Sequence, residues 1–298
     1  MKKPYLSRIT LQKNSRGVWC LDTSMGCASG MASEPGGCYG DCYAARAAKL
    51  YGHDFTKTVL RHFDNHSHAT ATVRRINGTD APFIRIGCSG DPSENWQHCI
   101  GILRQIRHCN KEVVIITRHW TLLTDEQLAV LAGFNLCINT SVSALDRLEI
   151  MERSVSQYER IKHRLKSVLR IVSCDFNLDN ERGHRLAKVQ AQLFTNSNTL
   201  DTVFRPGKSN PLVTEGVVNV AKHLFNGKKT LASKFNKKTF TGKCSSCTEL
   251  CGVGIAAGLN YPGRPGIEAQ MELLNRRTNL ALPQIHADTT TETNAEKI

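Results

Sequence analysis

The chain has 298 residues, 40% hydrophobic and 22% charged, proportions that exclude wholesale disorder and suit one large α/β domain with a small appendage or two modest domains. No stretch supplies about 18 uninterrupted apolar residues, and the lysines of MKKPYLSRITLQKN precede no apolar run, so neither a membrane span nor an export signal is expected and the chain reads as cytoplasmic. The formal charge of +13, from 39 basic and 26 acidic residues, favours anionic partners over neutral metabolites.

Short apolar or β-branched runs predict strands at 17–23 (GVWCLDT), 82–88 (PFIRIGC), 112–117 (EVVIIT), 135–140 (NLCINT), 167–173 (SVLRIVS) and 201–204 (DTVF). Helices are expected between them. The first, at 43–50, follows a cysteine-rich loop. The next, at 92–108, has Trp96, Cys99, Ile100, Leu103 and Ile106 near helical spacing, and 124–132 opens on Thr-Asp-Glu-Gln, a good amino-terminal cap. Later helices are expected at 180–194 and 211–225. This alternation implies a parallel sheet, either doubly wound or a full or partial barrel. In both architectures functional groups gather at the carboxyl ends of strands. Those ends read CSGDPSE (88–94), TRHW (117–120), NTSVS (139–143), SCDFN (173–177) and FRPGKSN (204–210), mostly polar where the strands before them are apolar.

From residue 228 the pattern changes to a lysine-rich stretch, three cysteines, a glycine-rich segment and a short helix at 267–277, and the residues from 288 onward read as a disordered tail. The expected division is 1–225 for the α/β body, 226–287 for a basic, cysteine-containing extension and 288–298 for the tail. Seven lysines and no carboxylate lie between 217 and 243, and Arg160, Lys162, Arg164, Lys166 and Arg170 form a second basic cluster. Such clusters either attract nucleic acid by counterion release or form a solvated basic surface.

Twelve cysteines in a reducing compartment point to metal or redox chemistry rather than a disulfide framework. Cys27, Cys38 and Cys42 share one glycine-rich loop after the first strand. Three thiolates can each bind one iron of a four-iron cluster and leave the fourth iron open, while the glycines let the backbone wrap it. A zinc site using the same cysteines with Cys20 is an alternative, as is incidental burial, and Cys20 itself suits the core. Cys244-x2-Cys247-x3-Cys251 suggests an auxiliary iron-sulfur cluster, a zinc knuckle or no metal. Cys88 and Cys174 suit packing at strand ends. His62, His66 and His68 read as a solvated loop, and Gly252, Gly254 and Gly258 only approximate a dinucleotide fingerprint.

The loop resembles the cluster-binding loop of the radical S-adenosylmethionine superfamily, whose usual pattern is Cys-x3-Cys-x2-Cys after the first strand of a partial (β/α)6 barrel. Here the spacing is Cys-x10-Cys-x3-Cys followed by Tyr-Ala, similar to a phage- and plasmid-associated branch, and the likeness runs in register from about 17 to 210. The resemblance implies a [4Fe-4S] cluster on Cys27, Cys38 and Cys42 and S-adenosylmethionine as cofactor. It places Ser89, Gly90 and Asp91 at the methionine amino group and Thr140, Ser141 and Ser143 at the ribose and carboxylate. TRHW looks like a Thr-Lys-Arg-Pro type segment of the branch. Arg118, Asp175 and Arg205 become candidates for holding cofactor or substrate, with structural salt bridges as the alternative. The implied reaction is reductive cleavage to a 5′-deoxyadenosyl radical that abstracts hydrogen from a substrate, fed by a flavodoxin- or ferredoxin-type electron donor. The charge suggests a nucleic acid or nucleotide as substrate, and a peptide or protein is also open. A zinc-stabilised, non-catalytic nucleic-acid-binding protein and an iron-sulfur redox partner are the rival readings.

Overall fold

The structure, a computed structural model, describes residues 7–14, 17–33, 36–196, 198–204 and 206–219, with short pieces at 222–224, 230–232, 239–240 and 251. In chain order the elements are β1 (Gln12–Lys13), β2 (Trp19–Cys20), β3 (Ser24–Met25), α1 (Ala28–Ala32), α2 (Gly36–Tyr39), α3 (Tyr43–Leu50), β4 (Val59–Leu60) and α4 (His66–Asn77). Then come β5 (Phe83–Ile86), α5 (Trp96–Gln105), β6 (Glu112–Thr117), α6 (Asp125–Ala132), β7 (Leu136–Val142), α7 (Leu148–Lys162), β8 (Lys166–Ser173) and α8 (Glu181–Leu193). The last are β9 (Thr199–Val203), α9 (Pro211–Thr214), β10 (Lys222–Leu224), β11 (Thr230–Ala232) and β12 (Thr239–Phe240).

The fold is α/β, with a seven-stranded sheet in the order β1-β2-β5-β6-β7-β8-β9. Only the β1–β2 pair is antiparallel. From β2 to β9 the strand order never reverses. Right-handed crossovers wound in one direction place their helices on one face, whereas a doubly wound sheet reverses at a switch point. The winding is therefore compatible with a partial barrel, and one face of the sheet is left free of the crossover helices.

Side chains alternate along each strand and sort cleanly between the two faces. Ile84, Ile86, Val113, Ile115, Leu136 and Ile138 pack with Trp96, Ile100, Leu103, Leu128 and Leu131 of the covering helices. Phe83, Val114, Cys137, Val168 and Leu200 form a second cluster on the inner face with Val18 and Cys20. Strands buried on both faces read as continuous apolar runs rather than as alternation, and every residue of β7 is buried. Each fully buried aliphatic side chain contributes about 1.5–3 kcal/mol.

Asparagine and threonine caps set the helix starts. The Asn65 side chain accepts from the His68 N–H at 2.9 Å, so the stretch expected as a solvated histidine loop instead opens α4, whose Ala69, Thr72 and Ile76 are buried. Thr124 and Gln127 form the expected capping box on α6. The helix expected at 211–225 ends at Thr214. Gly216 turns the chain with φ 68°, and Val217 then accepts the Asn177 N–H at 2.9 Å. The basic cluster from Arg160 to Arg170 is also dispersed. Arg160 bonds the Leu123 carbonyl at 2.7 Å and Asp125 at 2.8 Å, Lys166 pairs with Glu112 at 3.1 Å, and Arg170 is buried. Among the described residues no helix is long and apolar enough to cross a membrane.

Candidate metal centre

Cys27, Cys38 and Cys42 lie in the loop beyond the carboxyl end of β2. Their loop is fastened to the neighbouring strand end by a parallel bridge between Gly26 and Gly90 and by the Gly26 N–H, which donates to the Ser89 carbonyl at 3.0 Å. Cys27 precedes α1 and is buried, with its Sγ 3.6 Å from Glu94 Oε1, which also accepts the Ser29 N–H at 2.9 Å. Burial foremost, then Asp91 and Glu94, pushes the Cys27 thiol up. A methyl group at Gly30 would lie 2.6 Å from Cys27 Sγ, so only glycine leaves room for the thiol there.

Cys38 sits on a strained turn. Gly37, Cys38, Tyr39 and Gly40 have φ of 69°, 50°, 66° and 78°, a left-handed run that includes two residues with side chains. Each non-glycine residue held there costs on the order of 1–3 kcal/mol, and such strain persists only where surrounding contacts over-determine it. Tyr39 provides those contacts. Its hydroxyl donates to Asp146 Oδ1 at 2.7 Å and accepts from Arg118 Nη1 at 2.6 Å, while its carbonyl accepts from Asn210 Nδ2 at 2.8 Å. The Tyr39 ring meets Phe204 edge-on at 5.4 Å. Arg118 closes the network by an ion pair with Asp146.

Cys42 precedes α3, and the Ala44 and Ala45 amides of its first turn favour the thiolate. The neighbouring Cys38 thiol, aided by those amides, holds the Cys42 thiol down at about 6, while the same pairing pushes Cys38 up. Cys27 lies close enough to act on Cys38 electrostatically, and Arg118 and Arg46 favour the thiolates of Cys38 and Cys42 respectively. Trp120 and Cys42 each pack against the cluster of Cys27, Ala48 and Phe55, and Trp120 lies under the guanidinium of Arg118 at 5.3 Å and that of Arg153 at 5.9 Å.

No family model and no curated protein matches the chain.

Among the described residues no group of three or more His, Cys, Asp or Glu side chains is arranged to hold a metal ion. The donor set nevertheless has the chemistry for one. Three thiols share one loop, one is poised to ionise, and cations stand beside two of them. Trp120 Nε1 and Arg118 Nε are buried with no acceptor among the described residues, and an anionic group beside them would satisfy both. Loading requires Cys27 to leave Glu94.

The other expected site residues are largely engaged by protein partners. Asp91 is buried and accepts from the Ser93 amide and hydroxyl, the Thr117 hydroxyl and the Arg118 N–H, all at 2.7–2.9 Å. Ser89 donates its hydroxyl to Asp22 at 2.5 Å. Thr140 meets His119 Nε2 at 3.0 Å, and Ser143 donates to the Val172 carbonyl at 2.7 Å. Ser141 is buried on β7, Gly90 forms the bridge to Gly26, and Asp175 accepts from Asn219 Nδ2 at 3.4 Å. Arg205, Cys244 and Cys247 lie outside the described residues, as do residues 252–298. Cys251 is described. Its carbonyl accepts from Asn139 Nδ2 at 2.6 Å and it packs on the inner-face cluster. Cys20 is buried with its Sγ 2.8 Å from that of Cys88, while Cys174 is buried in the cluster holding Phe176.

Three carboxylates that organise the site escape a local reading. Asp22 gathers the Gly87, Cys88 and Ser89 amides at 2.7–2.9 Å and so shapes the loop after β5. Glu94 meets Cys27, and Asp146 anchors Tyr39. A surface hollow of about 510 Å3, lined by Leu11, Trp19, Arg75, Gly78, Thr79 and Asp80, is lined by none of the site residues.

Proposed function

We propose that the chain is a radical S-adenosylmethionine enzyme, built on a partial barrel of that superfamily's type, with a [4Fe-4S] cluster on Cys27, Cys38 and Cys42. The observation that carries this reading is that three cysteines share one glycine-rich loop, Cys38 on its strained turn, at the carboxyl end of a parallel sheet wound in one direction. When bound, the cluster and S-adenosylmethionine supply electron transfer to a sulfonium and a carbon radical that abstracts hydrogen.

The protein's own residues hold and shield that chemistry. The Cys42 thiol is held low, which favours the thiolate that ligates. Arg118 and Arg46 offset the negative charge of the thiolates. Phe55 and Trp120 bury the Cys27 side of the loop and exclude water. The Tyr39–Arg118–Asp146 network fixes where Cys38 points. In this reading Asp91 acts by shaping its loop, because its oxygens are taken by Ser93, Thr117 and Arg118. The net charge of +13 supports an anionic substrate such as a nucleotide or nucleic acid.

A single zinc ion is the second reading, and the pairing of Cys38 with Cys42 favours it, since one tetrahedral ion draws its thiolates together. Metal and labile-sulfide analysis after anaerobic purification separates the two. The cluster reading expects roughly four irons with matching sulfide, lost in Cys42→Ala and retained in Cys244→Ala. Bound zinc without labile sulfide rejects it.

A further inference from the structure

The inner face of the sheet carries a charge that the cysteine loop does not use. Arg85 stands on β5 between Ile84 and Ile86, which pack toward the helices, so its side chain shares the face of Phe83, Val114 and Cys20. It is only 9% exposed, and its Nε has no hydrogen-bond acceptor among the described residues. No ion pair involves it there either. The ionisable groups that act on it are Cys88, Tyr43, Cys251 and Cys20. None of these is a carboxylate.

A buried cation without an anion is costly, and a fold retains one where something pairs with it. Among the described residues the inner face supplies no spare carboxylate. Glu112 is taken by Lys166 at 3.1 Å, and Asp22 by three amides and the Ser89 hydroxyl. Arg170, between Leu169 and Ile171 of the helix-facing cluster, stands on the same face in register with Ser141 and has a partner of its own.

We propose that the inner face is an anion-binding site in which Arg85 pairs with a carboxylate or phosphate group of a small ligand. As a statement about the substrate this rests on the radical-enzyme reading. As a binding site it does not, and its test reads binding alone.

The test is calorimetric titration of the full-length protein with inorganic phosphate and with succinate, in chloride of matched ionic strength. At least one anion should bind saturably, and Arg85→Met should bind it about tenfold to a hundredfold more weakly. In chloride buffer free of phosphate and carboxylates, Arg85→Met should melt at a higher temperature than the unmodified protein, because the unpaired charge is gone. Should that variant not fold, Arg85→Gln, which keeps polar reach without charge, gives the same comparison of affinities. Preference for phosphate identifies a phosphoryl compound, and preference for succinate a carboxylate. Absence of saturable binding of either anion, or an affinity unchanged by loss of Arg85, overturns the assignment.

Discussion

Replacing Asp146 by Asn changes one charge in a buried pair and keeps the shape. The Asp146 side chain is 2% exposed and that of Arg118 10%. Asp146 also accepts the Tyr39 hydroxyl at 2.7 Å and the Ser143 N–H at 2.8 Å. Asparagine preserves an acceptor oxygen but leaves the Arg118 guanidinium buried without an anion, a change that costs about 3–5 kcal/mol. The exposed pair Arg182–Glu215, with side chains 54% and 55% exposed, supplies the control, and Glu215→Gln should cost about 0–1 kcal/mol. Urea denaturation followed by circular dichroism measures both. Because Tyr39 carries the strained turn of Cys38, Asp146→Asn should also lower the iron content of anaerobically purified protein. Adding Arg118→Met removes the orphaned cation, so the double variant should recover much of the lost stability. A loss below about 1 kcal/mol for Asp146→Asn, or a double variant whose loss is the sum of the singles, refutes the reasoning.

Gly30→Ala places a methyl group 2.6 Å from Cys27 Sγ, so the thiol must move, and iron loading should fall while the circular dichroism spectrum stays unchanged. Equal loading would show that Cys27 is no ligand. His119 is fully buried, and burial lowers its imidazole from 6.5 to about 3. Between those values the unfolded chain takes up a proton that the folded one refuses, so stability falls with pH by up to about 1.4 kcal/mol per unit. Asparagine tolerates the φ of 54° at this position, and His119→Asn should flatten the acid limb between pH 6.5 and 3; an unchanged slope contradicts the assignment. Cys20 and Cys88, with sulfurs 2.8 Å apart, should be joined by diamide in the apo protein and appear as one cross-linked peptide by mass spectrometry, whereas separate alkylated peptides would place them further apart.

The strands were legible because apolar runs of four to eight residues mark a sheet buried on both faces, and β5, β6, β7 and β8 fall on the runs expected. Their winding was not legible, since nothing local distinguishes a barrel-like order from a doubly wound one. The helix α7 lay in a stretch recognised only as long enough for a helix. Its buried face includes Ser154 and Gln157 beside Tyr158 and Ile161, which blurs the apolar stripe. The helix beyond Pro211 was over-extended because Val217, Val218 and Val220 continue an apolar pattern, whereas Gly216 turns two of these valines back onto Phe176 and Asn177.

For the site, the loop holding the three thiols was visible from cysteine spacing and glycine content alone. The groups that fix them were not, because Tyr39 meets Asp146 across 107 residues of chain and Cys27 meets Glu94 across 67. Asp91 and Arg118 became candidates through the family resemblance, at strand ends where ligand binding and loop architecture use the same residue types. Three-dimensional partners, four for Asp91 and an ion pair for Arg118, separate those roles.

The central claim is tested most directly by measuring 5′-deoxyadenosine after anaerobic reduction of the iron-loaded protein with S-adenosylmethionine. The account predicts 5′-deoxyadenosine from the unmodified chain and from Cys251→Ala, and none above background from Cys38→Ala or Cys42→Ala. Product formation that survives loss of Cys42, or a reduced and fully iron-loaded protein that forms none with anionic substrates present, would contradict it.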